Sequence, residues 1–267
     1  RLFKSSVEQK IMKKAATISA LAHRRAMKSC MPGMYEYQLQ AEIEYEFTVA
    51  GASFPAYGSI VGGGDNGCIL HYVENSSKLK DGDLVLIDAG CELQNYAADI
   101  TRTFPINGKF TPEQKMIYDI VLEAQIAGID ACSAGNQWNE PHNATVNIIT
   151  QGLLDLGIMK GSFNEMVEKK TYTDFYMHRA GHWLGMDVHD VGDYKLNEQW
   201  RTFQPGMVTT IEPGIYISPD NKNVDECWRG IGIRIEDDVL VTEGVPNTLS
   251  SDAPKTISEI EAIMASS

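Results

Sequence analysis

One nine-residue phrase occurs twice in this chain: Gly82-Asp-Leu-Val-Leu-Ile-Asp-Ala-Gly90 and Gly206-Met-Val-Thr-Thr-Ile-Glu-Pro-Gly214. Each copy is a glycine, an apolar-rich run, an isoleucine, a carboxylate, one small or ring residue, and a glycine. The acid falls where an apolar strand ends, Asp88 in the first copy and Glu212 in the second. A further acid follows each copy, Asp99 after the first and Glu236 after the second. Four acids at related places in two related halves suggest one pseudo-symmetric centre, and the economical task for such a centre is to hold metal.

The surrounding pattern supports a duplication. In the first half, Ser5-x-x-Glu8 is a capping-box signature ahead of helical periodicity (Val7, Ile11, Ala15, Ile18, Ala22, Ala26), which Pro32-Gly33 stops. A second helix is predicted from about Glu36 to Val49, followed by a glycine-rich turn at Gly62–Gly67. Strand patterns come next at Ile69–Tyr72, Leu84–Asp88 and Ala98–Ile106. The pattern then restarts. Thr111-Pro112-Glu113 opens a helix to about Ala131, and another spans roughly Pro141 to Leu156. Strand patterns return at Phe175–His178, Met207–Glu212 and Gly232–Val241, and a short helix is predicted near Ser258–Met264. No Pro- or Ser-rich linker separates the halves. The expectation is one α+β domain over residues 1–267, with duplicated helix-helix-strand halves packed on a shared antiparallel sheet.

Composition narrows the function. A net charge of −13 argues against nucleic acid and anionic membranes as partners, because phosphate neutralisation needs clustered Lys and Arg. No apolar run approaches the ~20 residues of a membrane helix. The five cysteines are scattered and form no CxxC, which fits a reducing, cytoplasmic setting. The chain starts at Arg1 rather than Met, and its first residues lack the apolar core of a secretory signal, so an upstream segment in a longer protein stays open.

Asp88 and Asp99 would meet across strands joined by a short turn region. Two close carboxylates repel, and one would stay protonated unless a cation lies between them. The plainer alternative makes them turn or edge residues. In Ile233-Arg-Ile-Glu-Asp237, alternation puts Arg234 and Glu236 on one face and the isoleucines on the other; a solvated sheet face is the plainer alternative there. Three of the six histidines, His178, His182 and His189, fall within twelve positions. A single histidine is more often packed than ligating, but this concentration shifts the balance. His71 is undecided by itself. Four carboxylates and one histidine carry a formal charge of −4, which two divalent cations neutralise. This composition points to a two-metal hydrolase with ions ~3.5–4 Å apart and a bridging water turned to hydroxide. Mn(II) suits the oxygen-rich shell, with Co(II) or Zn(II) as alternatives.

These positions, in this order, resemble the Asp, Asp, His, Glu, Glu set of the pita-bread metallopeptidases, most of all the aminopeptidase P branch. The segments Ile-Asp-Ala-Gly-Cys-Glu, Asp-Ile-Thr-Arg-Thr-Phe-Pro, His-Trp-Leu-Gly-Met-Asp-Val-His-Asp-Val-Gly, Thr-Ile-Glu-Pro-Gly-Ile-Tyr and Gly-Ile-Arg-Ile-Glu-Asp carry the likeness over essentially the whole chain. The resemblance implies a pita-bread fold. It makes Asp88 the bidentate ligand of one metal, Asp99 and Glu236 the bridging carboxylates, and His182 and Glu212 ligands of the other metal. Glu212 would also carry the proton from the attacking water to the leaving nitrogen. His71, His178 and His189 resemble the family's substrate and transition-state histidines, and Arg234 its supporting arginine. The implied reaction is hydrolysis of the bond before proline in peptides with proline at the second position. Methionine aminopeptidase is the runner-up on length, but there glutamine typically stands at the place of Arg234. Prolidase shares the arginine and demands dipeptides, and a metal-free binding module of this fold would have lost ligands.

Two departures stand out. Arg179 replaces a glycine beside the substrate histidines. The family's N-terminal domain is absent from this chain, and because tetrameric relatives draw contacts from it, a homo-oligomer stays open and a tetramer is not expected.

Overall fold

The computed structural model describes residues 1–266. The first half opens with α1 (Ser6–Ser29) and α2 (Glu36–Val49), and the second with α3 (Pro112–Asp130) and α4 (Glu140–Asp155). The signals that start these helices are real caps. Ser5 and Glu8 form the reciprocal box on α1, and Thr111 and Gln114 do so on α3 behind the N-terminal proline. A short α5 (Phe163–Glu168) went unread in the sequence, being six residues long and without a usable period. The terminal α6 (Ile257–Ala265) lies where expected.

The duplication is visible in backbone detail. Gly82 and Gly206, which open the two phrases, both take left-handed φ, +86° and +91°. From each runs a strand toward the acid, Leu84–Asp88 and Val208–Ile211. A hairpin follows each acid: Cys91–Leu93 with Tyr96–Ala97, and Gly214–Tyr216 with Gly232–Arg234. The chain then delivers the second acid and returns antiparallel on the first strand. Thr101–Pro105 pairs with Leu84–Asp88, and Asp237–Leu240 with Val208–Ile211.

Three strand expectations need correction. Ile69–Tyr72 is a turn that follows a 3-10 segment (Gly64–Cys68). The partner of Leu84–Asp88 is instead Ile60–Gly63, so the first glycines of the glycine-rich run belong to a strand. Phe175–His178 makes no ladder; the strand-like stretch is the next one. There Glu212 N donates to Ala180 O (2.8 Å), Thr210 N to His182 O (2.9 Å) and Leu184 N to Val208 O (3.1 Å). Residues 180–184 thus run antiparallel beside the Glu212 strand, as 60–63 runs beside the Asp88 strand, and this register sets His182 opposite Gly62 in the twofold. Finally, Gly232–Val241 breaks at Ile235-Glu236, because the chain changes partners from Gly214–Tyr216 to Val208–Ile211.

By its ladders the expected shared sheet is divided: a three-stranded unit centred on Leu84–Asp88 in the first half and one centred on Asp237–Leu240 in the second are accompanied by a further three-stranded ladder and two two-stranded ones. Glu236 N donates to Thr101 O at 3.1 Å and Arg234 N to Thr103 Oγ1 at 3.2 Å, joining the halves beside the acids. Beneath them a continuous apolar core runs from Met12, Leu39, Ile43 and Phe104 to Ile149, Ile215 and Ile233.

Arg102 fastens this junction. Fully buried, it donates to the carbonyls of Thr101 (2.9 Å), Glu236 (2.6 Å), Ala253 (3.1 Å) and Pro254 (2.9 Å), and to Asp237 Oδ1 (2.7 Å). Its removal would leave four buried carbonyls without this donor and Asp237 with Lys255 (2.9 Å) as its remaining cation. Arg102→Met is therefore expected to cost about 3–5 kcal/mol, read as a lower urea midpoint at unchanged slope. A loss below about 1 kcal/mol, the range of an exposed pair, would contradict this role.

Candidate metal centre

All nine side chains singled out in the sequence line one cavity of about 450 Å³: His71, Asp88, Asp99, His178, His182, His189, Glu212, Arg234 and Glu236. Asp88 comes from the end of its strand, and Asp99 from the irregular residues before Thr101–Pro105. Glu212 follows Val208–Ile211, and Glu236 occupies the break between two strands. His182 lies on the strand-like 180–184 segment. Gly181 is required there, since a Cβ at that position would sit 1.9 Å from Thr210 O.

Asp99, His182 and Glu236 each bring a ligand atom to a common point, all within 4.8 Å of one another. His182 Nε2 is 3.3 Å from Asp99 Oδ2 and 3.6 Å from Glu212 Oε1. Its Nδ1 lies 3.0 Å from Trp183 O, a bond in which only the ring nitrogen can donate. That places the proton of neutral His182 on Nδ1, so the Nε2 lone pair faces two carboxylates. Acceptors facing acceptors need a cation or a further proton between them.

Tyr57 repeats the same problem across the cavity. Its hydroxyl oxygen is 2.6 Å from Asp88 Oδ1 and 2.6 Å from Asp99 Oδ1. With one hydrogen it can donate to one of them, so the other contact requires a protonated carboxyl or a bound cation nearby.

The electrostatics agree. Burial, with repulsion from Asp99 and Asp88 behind it, pushes Glu212 up to about 7. Burial and the neighbouring acids also raise Asp99, and they hold Glu236 well above the usual carboxylate range. Burial works against a charged His182, but its bond to Asp99 and the charge of Glu212 raise it to about 9. A site that collects protons in this way has more negative charge than its own cations balance. Its donors are carboxylate oxygens and one imidazole nitrogen, so the residues present fit hard or borderline divalent ions.

Among the described residues Arg234 is the fixed cation that lines the floor. Its Nη2 donates to Asp88 Oδ2 (2.7 Å), Nη1 to Tyr216 Oη (2.9 Å) and Nε to Thr101 Oγ1 (3.1 Å), and Thr101 in turn donates to Glu236 Oε2 (2.6 Å). Burial opposes its charge, yet Tyr216 and Asp88 hold it protonated. His178 joins the same chain through Nε2 to Tyr216 Oη (2.9 Å), and its Nδ1 lies 2.8 Å from Arg179 O. Both its ring nitrogens are engaged, and burial drives its pKa down to about 3, leaving it neutral. His189 packs edge-on against His182 with centroids 4.2 Å apart. Among the described residues neither His71 nor His189 has a hydrogen-bond partner, so both present free ring nitrogens at the cavity wall.

Sequence reasoning missed Tyr57, Thr101 and Tyr216. Thr101 shares strand parity with Asp99, and Tyr216 stands within a quoted motif, so both were within reach. Tyr57 lies in an irregular loop and carried no signal.

Residues 10–243 match metallopeptidase family M24. The chain belongs to this family. It is 52% identical over 264 residues to the Xaa-Pro aminopeptidase of Escherichia coli, covering 99% of this chain and 59% of that protein. Among solved structures, Pseudomonas aeruginosa aminopeptidase PepP is 59% identical with a TM-score of 0.99, covering 100% of this chain and 60% of that one. A zinc-substituted E. coli aminopeptidase P in complex with product is 51% identical with a TM-score of 0.97, over 100% and 60% of the two chains. The likeness to these members makes the fold the pita-bread arrangement that the resemblance implied. The chain spans about three fifths of the length of these relatives.

The raised carboxylates set a testable pH dependence. Folded Glu212 binds its proton up to about 7, against 4.5 ordinarily. Its contribution to stability is therefore complete below the ordinary value and is lost as pH rises through about 7; Asp99 and Glu236 act in the same direction. With chelator, the thermal midpoint of the parent relative to that of Glu212→Gln should fall between about pH 5 and pH 8, a difference that cancels the opposite slope of the buried histidines with lowered pKa values. Added Mn(II) should raise it, most at the upper end, where an ion replaces protons. A gain from Mn(II) independent of pH would contradict this account.

Proposed function

We propose that this chain is the catalytic part of an Xaa-Pro aminopeptidase, cleaving the bond before proline in peptides with proline at the second position. The observation that carries the reading is the convergence of all nine family positions on one cavity, together with the identity to relatives of that activity. Residues 1–267 are taken as one catalytic domain, because a single core crosses both halves.

Asp88, Asp99, His182, Glu212 and Glu236 would hold two divalent ions, Mn(II) first on ligand type, with Co(II) or Zn(II) as alternatives. When bound, such ions supply an acidified water and an electrophile for the substrate carbonyl. The remaining roles belong to the chain itself. Arg234 fixes Asp88 directly and Glu236 through Thr101. His189, with a free ring nitrogen, would stabilise the developing oxyanion. His71 and the half-buried, neutral His178 shape the wall that receives the proline and the residues after it. Glu212 takes the proton from the attacking water and returns it to the proline nitrogen, which must be protonated to leave. Proline leaves the substrate no N–H at the scissile bond for a backbone grip, so recognition by side chains and metal suits this substrate. The five free thiols fit a reducing, cytoplasmic setting. No described helix is long and apolar enough to cross a membrane.

A panel with Mn(II) tests the reading: a tripeptide beginning Xaa-Pro, an Xaa-Pro dipeptide, and a Met-Ala peptide. Cleavage of the tripeptide is expected. Hydrolysis of the Met-Ala peptide alone would sink the proposal, and cleavage of the dipeptide alone would make the chain a prolidase. His189→Ala should lower kcat by about 10²–10³, as for the loss of one oxyanion donor. Asp99→Ala should abolish metal-dependent turnover, and unchanged turnover in that variant would remove the metal centre from the mechanism.

A further inference from the structure

Arg179 is a cation without a carboxylate partner. The chain carries 36 acids against 23 lysines and arginines, yet among the described residues no acid lies within ion-pair distance of this guanidinium. It is nevertheless held in place. Its Cζ lies 5.1 Å from the Trp138 ring centroid and 4.9 Å from that of Trp200. Nη2 donates to Asn139 Oδ1, and the Asn139 amide is oriented by its own bond to Asn143 Oδ1 (2.8 Å). Trp200 is presented by a two-stranded hairpin, Lys195–Leu196 with Gln199–Trp200, turned by Asn197 and Glu198 at left-handed φ of 49° and 65°. Trp138 packs into the aromatic cluster with Trp183 and Tyr194. Stacking on indole faces leaves the guanidinium edge, with its forked N–H groups, available in the cavity wall that Arg179 lines beside His178.

We propose that Arg179 is a carboxylate-binding subsite for the peptide beyond proline, and that it biases the enzyme toward substrates placing a negative charge there. This rests on the Xaa-Pro aminopeptidase reading. A planar fork with one hydrogen bond used and no counter-ion suits a carboxylate, which can accept two parallel N–H bonds. Two sources supply that group: the C-terminal carboxylate of a tripeptide, or an acidic side chain at the third position of a longer peptide. With the acids at the floor neutralised by two bound divalent ions, Arg179 would be an uncompensated positive charge at the wall.

The test compares kcat/KM on Ala-Pro-Ala and its C-terminal amide, and on Ala-Pro-Asp-amide and Ala-Pro-Asn-amide, with the full chain loaded with Mn(II). A charge-assisted bond discounted for partial exposure predicts about a tenfold preference for the charged member of at least one pair. The preference should be carried by KM and should shrink in about 0.5 M sodium chloride. In Arg179→Gly the ratio should fall to about 1, and Arg179→Lys should retain part of it. The first pair identifies a C-terminal carboxylate as the ligand, and the second an acidic side chain. Equal rates within both pairs for the parent, or a preference that survives Arg179→Gly, would overturn the subsite. A purely structural Arg179 would change both members of a pair alike and leave the ratio untouched. Cleavage of none of the four peptides would overturn the aminopeptidase reading instead. Calorimetric binding of Pro-Ala against Pro-Ala-amide to the Mn(II) form then still tests Arg179, with the same tenfold expectation and the same loss in Arg179→Gly.

Discussion

The mutual repulsion of buried carboxylates is the constraint around which this molecule is arranged. Asp99 and Glu236 are almost wholly buried, and Asp88 and Glu212 open onto the same cavity. Burying charge without compensation is prohibitively costly, so the structure answers with every cation and donor it can bring: Arg234, His182, Tyr57 and Thr101. These do not suffice, and the residue of the imbalance is visible as raised carboxyl groups and an imidazole raised to about 9. A hydrophobic junction of the same shape would be easier to fold. That the chain retains the acids is a sign of selection for binding over stability.

The duplicated phrase locates this arrangement from sequence because its parts are local. A left-handed glycine, a strand and a terminal acid fit inside nine residues, and strand alternation fixes which face Arg234 and Glu236 share. The helix caps at Ser5 and Thr111 were legible for the same reason: the reciprocal bonds span three residues.

What stayed hidden depends on distant partners. Whether Ile60–Gly63 or Ile69–Tyr72 pairs with the Asp88 strand is decided by register against residues more than twenty positions away, and apolar content favoured the wrong segment. The break at Ile235-Glu236 exists only because two hairpin partners compete for one stretch of chain. Arg102 was quoted within a motif, yet nothing local says that it reaches five acceptors across both halves. Tyr57 shares hydrogen-bond distance with two acids through loop geometry alone. His182 was readable as one of a cluster, but its tautomer required the carbonyl of Trp183.

The meeting of the halves at Glu236 and Thr101 has a kinetic meaning. The acids come from both sides of this seam, and Asp88 is separated from Glu236 by most of the chain. An ion seated there would bind the folded chain and not the unfolded one, so it would stabilise by mass action a site that only the joined halves create. The seam has no hinge of its own: Arg102 and a shared apolar core span it. Opening wide enough to strip all ligands would therefore be a sub-global event rather than local fraying.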